Sequence, residues 1–424
     1  MKGISLIRAI FVLLLVFLTA CGSTDSATVV KLSGWQSSPA EKQLLEGVLR
    51  DFEATHPSIK VKFEVITDQY MDAIKTRLIG DAAPDLFYLD ALEAPLLMRS
   101  AVLEPLDPYI RPEDEVADFE PAFLKAFQNG GKTYGLPKDF STLALFYNRD
   151  LFAQAAISDP PKTWEQFIAD AQKLTRDPNN DGRPEQYGFG LIPELARNSF
   201  LLKALGRDLT NRQGYAIFAH RRSLKGLQSL VDLYRGTPNG KHSITRAAAV
   251  PSDVGASSGS EMLGQGKTAM VIEGSWAIPY FKETFPKLQF ATAEIPTPGR
   301  KPGTMAYTVA YVMNKQSKHK QAAWEVLAYL TGKEGMEAWA KGGLVLPARR
   351  SVLTRLGYDT NPLYAPFVAG AKYATIWQGG ETLSIINTHF NNQFLSALLG
   401  EQSLQQAMQK AQDSANREIK TSNY

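Results

Sequence analysis

Apolar strands alternate with amphipathic helices between residues 28 and 90, and this alternation constrains the fold more than any other feature of the chain. The expected elements are the strand Thr28–Leu32, the helix Pro39–Thr55, the strand Lys60–Ile66, the helix Gln69–Ile79 and the strand Asp85–Asp90. Strands connected through helices in this order predict a parallel sheet with helices packed on it. Ligands of such sheets bind beyond the carboxyl ends of the strands, where the loops 34–38 and 90–93 are expected.

The same kind of pattern continues through the rest of the chain. Further expected elements are the strand Thr142–Tyr147, a helix over 161–175, the strand Tyr187–Leu191, a helix over 222–235, the strands Thr268–Ile272 and Thr308–Met313, and mostly helix after residue 319. No internal repeat and no long low-complexity linker interrupts them. The predicted fold class is therefore α/β, and a two-lobed molecule fits this pattern better than separate domains on a flexible tether.

Composition excludes several classes of protein. The chain has 424 residues, of which 44% are hydrophobic and 21% are charged, as in ordinary globular proteins. The formal charge is +3, and it falls to +1 (44 basic against 43 acidic residues) without Lys2 and Arg8. This balance gives no support to nucleic-acid binding, which needs a concentrated basic surface. The single cysteine, Cys21, rules out an internal disulfide.

Residues 1–20 have the features of a signal peptide. Lys2 and Arg8 are followed by ten uninterrupted apolar residues, 9–18, which is about half of the length that spans a bilayer. The sequence Leu18-Thr19-Ala20-Cys21-Gly22 then resembles the lipobox of bacterial lipoproteins, in which the cysteine carries the lipid. The alternatives are a plain signal peptide before an unpaired cysteine, or an uncleaved anchor. Lipidation of Cys21 would hold the mature protein on a membrane, with the small polar residues 22–28 as a tether.

Catalytic motifs are incomplete in this sequence. Residues 255–259 match the letters G-x-S-x-G, but the preceding residues indicate a loop and not the apolar strand that a nucleophile elbow requires. Residues 266–268 resemble the end of a phosphate-binding loop, which would need a glycine where the chain has Glu261. The five histidines show no spacing typical of metal ligands.

The segment 177–185 has the spacing of oxygen ligands in a calcium loop. Asp177, Asn179, Asp181 and Glu185 occupy positions 1, 3, 5 and 9, and Gly182 occupies position 6. Position 12, normally a bidentate glutamate, is a glycine. We therefore expect either a structural Ca²⁺ held by Asp177, Asn179 and Asp181, or a turn rich in Asp and Asn. No other cofactor is expected.

Several ordered motifs together resemble one known family. They are the lipobox at Cys21, Pro84-Asp85-Leu86-Phe87, Tyr134-Gly135-Leu136-Pro137, Tyr147-Asn148-Arg149-Asp150-Leu151-Phe152, Pro161-Lys162-Thr163-Trp164-Glu165, Gly266-Lys267-Thr268-Ala269-Met270, Gly274-Ser275-Trp276 and Pro347-Ala348-Arg349-Arg350. In this order they are similar to the extracellular solute-binding proteins of ATP-driven (ABC-type) carbohydrate importers, such as maltose- and trehalose-binding proteins. The resemblance extends over nearly the whole mature chain.

This resemblance implies a two-lobed periplasmic-binding-protein fold with the ligand cleft between the lobes. The chain should then cross between the lobes near residues 120, 296 and 331. Lobe 1 would consist of residues 21–120 and 296–331, and lobe 2 of residues 121–295 and 332–424.

A sugar needs aromatic side chains against its C–H faces, and carboxylates or amides against its hydroxyl groups. The candidates that meet this need are Trp35, Gln36, Glu41 and Asp90 from lobe 1, and Asp139, Phe140, Gly274, Trp276 and Trp377 from lobe 2. Alternatives remain open, since Glu41 would also suit a solvated helix face, Phe140 the core, and Asp90 a helix cap. Maltose-binding members of the family have a glutamate near Ser141, so the sugar itself is not identified.

The resemblance implies a lipid-anchored, exported, monomeric protein that captures a sugar and delivers it to the permease of an ABC transporter. Trehalose, sucrose, maltose and glucosylglycerol are all reasonable ligands. The alternative is an exported carbohydrate-active enzyme of the glycoside hydrolase type, which would use two carboxylates. The ordered family motifs and the incomplete catalytic motifs favour the binding protein.

Overall fold

The computed structural model describes residues 27–36, 39–179, 181, 183–206, 208–236, 246–299, 301–380 and 382–422. The strands are β1 Thr28–Gly34, β2 Ile59–Val65, β3 Leu86–Asp90, β4 Gln128–Asn129, β5 Lys132–Thr133, β6 Gly135–Asn148, β7 Tyr187–Gly190, β8 Ala248–Ala249, β9 Thr268–Gly274, β10 Phe290–Ala293, β11 Met305–Met313 and β12 Thr375–Ile376.

The α-helices accompany these strands in the alternating order that the sequence predicts. They are α1 Pro39–Thr55, α2 Tyr70–Ile79, α3 Ala94–Arg99, α4 Pro121–Lys125, α5 Arg149–Gln154, α6 Trp164–Leu174, α7 Leu195–Ala204, α8 Lys225–Arg235, α9 Gly259–Gly264, α10 Ala277–Thr284, α11 Lys320–Thr331, α12 Lys333–Ala340, α13 Arg350–Arg355, α14 Ala365–Ala371, α15 Leu383–Leu399 and α16 Leu404–Thr421. The predicted α/β class is confirmed.

The first half of the sheet has the strand order β2-β1-β3-β11-β6. Strand β1 pairs in parallel with both β2 and β3, as the strand–helix–strand alternation predicts. Strand β11 then pairs antiparallel with β3 on one side and with β6 on the other. The loops that follow β1 and β3 therefore leave the sheet at the same edge, because the two strands are parallel.

Strand β6 joins this half of the sheet to a second half with the order β6-β9-β7-β8. Residues 135–142 of β6 pair with β11, and residues 143–147 pair with β9. Strand β10 pairs antiparallel with the end of β6. The sequence predicts only Thr142–Tyr147 as strand, so the amino-terminal half of β6 was not predicted. A proline and two charged residues at 137–139 hide that half from a search for apolar alternation.

Three clusters of buried side chains form the core. The first core packs on β1, β2 and β3 and includes Val30, Leu32, Phe52, Phe87 and Trp324. The second and third cores cover opposite faces of the second half of the sheet. Alternate residues of β6 divide between them, since Leu143 and Leu145 belong to the second core and Ala144 and Phe146 to the third. We call the part built on the first core lobe 1, and the part built on the other two lobe 2.

The lobe boundaries differ from those that the resemblance implies. Phe123 lies in the third core, whereas Phe127 and Leu136 lie in the first, so the chain meets lobe 2 soon after residue 120 and crosses between the lobes again within β6. Met305 belongs to the second core and Ala310 to the first, which places the return within β11 and not near 296.

The helices after residue 331 also depart from the implied boundary. Met336 and Trp339 of α12 and Val352 of α13 lie in the first core, whereas Ala340 at the end of α12 and Leu346 lie in the third, so this segment packs on both lobes. Helix α12 packs on α1, whose residues Leu45 and Phe52 are buried in the first core. The buried hydrophobic residues from Tyr358 onward lie in the second and third cores and therefore belong to lobe 2.

The predicted signal peptide 1–20 and the lipidation site Cys21 lie outside the described residues. Within the described part of the chain, no helix has both the length and the apolar composition needed to span a membrane.

Candidate functional site

A cavity of about 580 Å³ lies between the two lobes. This volume is within the usual range for small-molecule sites. Its lining consists of Trp35, Glu41, Lys138, Asp139, Phe140, Ser141, Arg197, Ser258, Ser260, Glu273, Ser275, Trp276, Pro279, Tyr280, Glu283, Tyr307, Val309, Leu344 and Val345. Trp35 and Glu41 come from lobe 1, while the residues of α7, α9, β9 and α10 come from lobe 2. A ligand in this cavity would therefore contact both lobes.

An irregularity in β6 aims two neighbouring side chains into the cavity. Val309 of β11 lies opposite Asp139, but the next residue, Ala310, lies opposite Pro137, so Lys138 is an extra residue in the ladder. Successive side chains of a regular strand point to opposite faces, whereas a bulge redirects one of them. Lys138 and Asp139 therefore both line the cavity.

Lys138 and Asp139 form a buried ion pair at the floor of this cavity. The Lys138 ammonium contacts the Asp139 carboxylate. It also lies 4.9 Å from the ring centroid of Tyr88 and 4.4 Å from that of Trp339, within the range of cation–π attraction. The Trp339 indole donates a hydrogen bond of 3.3 Å to the same Asp139 oxygen, Oδ2. Both charges are thus held by protein groups.

A second buried ion pair supports Trp276 on the opposite wall. Arg197 Nη1 donates a 2.6 Å hydrogen bond to Glu273 Oε2, and the Glu273 side chain is only 3% exposed. The Trp276 Nε1–H donates to the same oxygen at 3.3 Å. The Arg197 guanidinium carbon lies 5.2 Å from the Trp276 ring centroid, and the Tyr307 ring meets that indole edge to face at 5.8 Å. The exposed face of Trp276 is therefore a fixed platform.

Gly274 allows the Trp276 ring to adopt this position. A Cβ atom built at residue 274 would lie less than 3.0 Å from three carbons of the indole ring, a separation that real Cβ atoms essentially never show. The ring consequently folds back over the end of β9. The sequence feature that carries this geometry is the Gly-Ser-Trp segment that closes the strand.

Trp35 is held in the same manner on the lobe 1 side. Its ring packs edge to face against Tyr70 at 5.0 Å and against Tyr88 at 5.3 Å. A Cβ at Gly34 would collide with the Tyr88 ring. Tyr70 is itself fixed, because its hydroxyl donates to the backbone carbonyl oxygen of Ser33 and accepts from the Tyr88 amide. The two lobes thus each present one tryptophan at the cavity.

Hydroxyl groups of Ser141 and Ser275 join strand β6 to the end of β9. The Ser141 hydroxyl accepts from the Ser275 amide at 2.9 Å and donates to the Thr142 carbonyl oxygen at 2.8 Å. Ser275 Oγ is 3.1 Å from Ser141 Oγ. The Ser141 hydroxyl therefore bonds directly to a residue at the end of β9, in lobe 2.

Five of the nine residues predicted as ligand contacts line the cavity, and four do not. Trp35, Glu41, Asp139, Phe140 and Trp276 are in the lining. Glu41 is buried at 8% exposure, so its helix face is not the solvated one. Phe140 is also part of the third core, where its ring lies 4.5 Å from that of Phe123.

The remaining four lie near the cavity or in the core. Gly274 acts through Trp276, as described above. Trp377 is 6% exposed in the second core. Gln36 is half-buried next to Trp35, and its Oε1 atom is buried without a hydrogen-bond partner. Asp90 accepts a 2.7 Å hydrogen bond from the Leu92 amide, as a local capping group does. Burial raises the pKa of Asp90 to about 6, against the backbone hydrogen bond, which lowers it.

Sequence reasoning did not identify Lys138, Arg197 or Glu273. Lys138 enters the cavity only through the bulge, which leaves no trace in a period-two pattern. Arg197 lies on α7, whose apolar residues are spread around the helix, so its cavity face is not evident. Glu273 directly precedes the Gly-Ser-Trp segment, and a charged residue inside an apolar strand is the one signal that points to it.

The predicted calcium loop is partly described. The Asp181 amide donates to Asn179 Oδ1 at 3.0 Å and to Asp177 Oδ1 at 3.2 Å, and the Arg183 amide donates to Asp181 Oδ1 at 2.8 Å. These bonds are those of an Asx-rich turn. Among the residues that the structure describes, no three His, Cys, Asp or Glu side chains are grouped to hold a metal ion. Ca²⁺ binding at Asp177, Asn179 and Asp181 stays a prediction.

Comparison with known proteins gives one family. The model of the family described as "bacterial extracellular solute-binding protein" matches residues 35–337. A binding protein of Brucella abortus is 29% identical over 385 residues, which are 87% of this chain and 89% of that protein. The maltodextrin-binding protein MdxE of Bacillus subtilis is 24% identical over 90% of this chain and 91% of its own length.

A solved structure shows the same fold. The ABC substrate-binding protein Lmo0181 of Listeria monocytogenes, in complex with cycloalternan, superposes with a TM-score of 0.80 at 21% identity. The match covers 93% of this chain and 99% of that protein. The two-lobed architecture deduced from the sheet and the cores is therefore shared.

Proposed function

The chain belongs to the bacterial extracellular solute-binding proteins, and on that premise we propose that it captures a short oligosaccharide in the cavity between its lobes. The observation that carries this proposal is the pair of tryptophans, Trp35 from lobe 1 and Trp276 from lobe 2, each fixed by neighbouring aromatic rings at one cavity. Between them lie carboxylates and hydroxyls that suit the rim of a sugar.

The lining suits both the C–H faces and the hydroxyl groups of a sugar. A well-placed aromatic ring contributes about 0.5–1.5 kcal/mol beyond the burial of its area. Asp139 Oδ2 is held by Lys138 and Trp339, so this carboxylate is oriented before a ligand arrives. Orientation of this kind reduces the entropy lost on binding. Ser258 and Ser260 on α9 add hydroxyl groups that both donate and accept.

We infer that binding closes the two lobes on the ligand. A ligand that contacts both lobes favours the conformation in which both sets of contacts are made, and so shifts the equilibrium toward a closed state. The chain connects the lobes within β6, within β11 and again in the segment of α12 and α13. Motion between the lobes would bend these segments and leave each core intact.

The ligands named for similar proteins limit the choice of sugar more than the residues that line the cavity do. MdxE is named for maltodextrin, and the Listeria structure holds cycloalternan. We therefore propose an oligosaccharide as the first choice, with the disaccharides maltose, trehalose and sucrose and the osmolyte glucosylglycerol as further candidates. We also propose that a lipid on Cys21 tethers the protein outside the cytoplasm, and that an ABC permease receives the sugar.

A thermal-shift panel followed by calorimetry tests the function. A ligand present at 100 times its Kd should stabilise the protein by about 2.7 kcal/mol, which moves the melting temperature measurably. The panel should include maltotriose, maltotetraose, cycloalternan, arabinotriose, trehalose and sucrose. We expect at least one to bind with a stoichiometry of one per chain.

The same samples test the alternative of a glycoside hydrolase. Two lining carboxylates, Asp139 and Glu273, are engaged in ion pairs, whereas a glycosidase needs one carboxyl as the acid that donates a proton. We expect the bound sugar to be recovered unchanged after prolonged incubation. Steady formation of hydrolysis products would overturn the binding-protein function.

A further inference from the structure

The cations that line the cavity in the described part of the chain are Lys138 and Arg197. Each is already paired with a carboxylate that lines the same cavity. Lys138 contacts Asp139, and Arg197 bonds to Glu273 at 2.6 Å. Neither positive charge is therefore available to a ligand without the loss of an existing pair.

Both pairs are also shielded from water by aromatic rings. The Lys138 side chain is 4% exposed, between the rings of Tyr88 and Trp339. The Arg197 side chain is 19% exposed and stacks on Trp276. Breaking such a pair leaves an uncompensated buried charge, which is strongly unfavourable.

The lining contains further negative charge. Among the described residues, Glu41 and Glu283 also line the cavity, so its described lining has four carboxylates and two cations. Glu194 adds another carboxylate, 3.7 Å from Arg197. The amino end of α1, whose dipole would favour an anion, already has Glu41 in its first turn.

We propose that the cavity accepts uncharged oligosaccharides and rejects acidic ones such as uronates. This inference rests on the proposed function and specifies its substrate class. A uronate carboxylate would be transferred from water into a site where Lys138 and Arg197 are each already paired with a carboxylate. Like charges brought together at an interface weaken binding by about 100-fold or more.

The test compares one sugar in two charge states. The neutral oligosaccharide that binds best in the thermal-shift panel is oxidised at its primary hydroxyls to the uronate, and part of this product is converted to the methyl ester. The ester keeps the added atoms without the charge. Calorimetry should show that the uronate binds at least about 100-fold more weakly than the parent sugar, and that the ester recovers at least about tenfold of this loss.

Variants of the second ion pair make the test specific. Glu273→Gln removes the carboxylate that pairs with Arg197, so the guanidinium becomes available to a uronate. The ratio of the uronate Kd to the ester Kd should therefore fall about tenfold. Glu64→Gln is the matched control, because it breaks another Glu–Arg ion pair, that with Arg77, whose residues lie outside the lining. Asp139→Asn provides the same test at Lys138 should Glu273→Gln fail to fold.

The outcomes separate this inference from the function on which it rests. Equal affinity for the uronate and its ester, or tight binding of trigalacturonate, overturns the charge selectivity and keeps the sugar-binding function. If the ratio of the uronate Kd to the ester Kd is unchanged in both Glu273→Gln and Asp139→Asn, the role assigned to the ion pairs is also overturned. Failure of every neutral and acidic sugar to bind overturns the proposed function and this inference together.

Discussion

Replacing Gly274 by alanine is expected to weaken sugar binding by displacing Trp276 while keeping every residue of the cavity lining. The added Cβ would lie less than 3.0 Å from three carbons of the indole ring. Non-bonded carbons pack at about 3.5–4.0 Å, so the ring must move by about 1 Å or more. This movement takes the indole away from the Arg197 guanidinium and from the Tyr307 ring.

The size of the effect follows from what the platform contributes. An aromatic platform contributes about 0.5–1.5 kcal/mol beyond area burial, and a misplaced ring forfeits most of this. The expected loss is therefore about twofold to tenfold in Kd. The same overpacking should lower the free energy of unfolding by about 1–3 kcal/mol.

Gly264→Ala is a matched control for the strain itself. A Cβ at residue 264 would collide with the Phe285 ring in the same way, but Phe285 does not line the cavity. Both variants should lose stability in chemical denaturation, and only Gly274→Ala should lose affinity in calorimetry. Equal affinity of Gly274→Ala and wild type would remove Trp276 from the site, and an equal loss in both variants would refute the argument from ring position.

The remaining predictions concern anchoring, metal, pH and motion. Cys21→Ala should abolish labelling with palmitate and release the protein from membranes; labelling that persists contradicts the lipid anchor. Chelation by EGTA should lower the melting temperature of the wild type but not of Asp181→Ala, and a wild type insensitive to EGTA leaves the 177–185 loop as a turn. Because burial raises the pKa of Asp90 to about 6 from 3.8, the protonated carboxyl favours the fold below about pH 4, and this contribution disappears as the pH rises through 6. Asp90→Asn should therefore raise the unfolding free energy by about 3 kcal/mol at pH 7.5 and by little at pH 4, and equal effects at both would refute this. Saturating sugar should reduce the radius of gyration in small-angle scattering, and an unchanged radius counts against closure of the lobes.

Local sequence patterns predict the regular part of lobe 1 closely. Helix α1 has the predicted bounds, Pro39–Thr55, and strands β1 to β3 each lie within two residues of their predicted ends. Helix α6 begins at Trp164 because Thr163 and Gln166 form a capping box, which is a local signal in the sequence. Such elements are predictable because neighbouring residues determine them.

The lobe boundaries and the ion pairs depend on contacts between distant residues. Ser141 pairs with Tyr307 and hydrogen-bonds to Ser275, which lies 134 residues away. The bulge at Lys138 is defined by the register with β11, and nothing in the segment itself reveals it. By contrast, the local sequence points to Trp35 and Trp276, which line the cavity, because each lies just after a glycine that ends a strand.

The order in which the strands of the sheet are synthesised has a consequence for how the chain leaves the ribosome. Strand β3 and the first half of β6 are separated in the sheet by β11, and Thr142 finds its partner in Ala306. At a synthesis rate of about 5–20 residues per second, about 10–30 s pass between the synthesis of Thr142 and that of Ala306. During this interval β3 and β6 each present an unpaired edge on the side that β11 will occupy. The continuous sheet that joins the two lobes can therefore be completed only after Met305–Met313 has been synthesised.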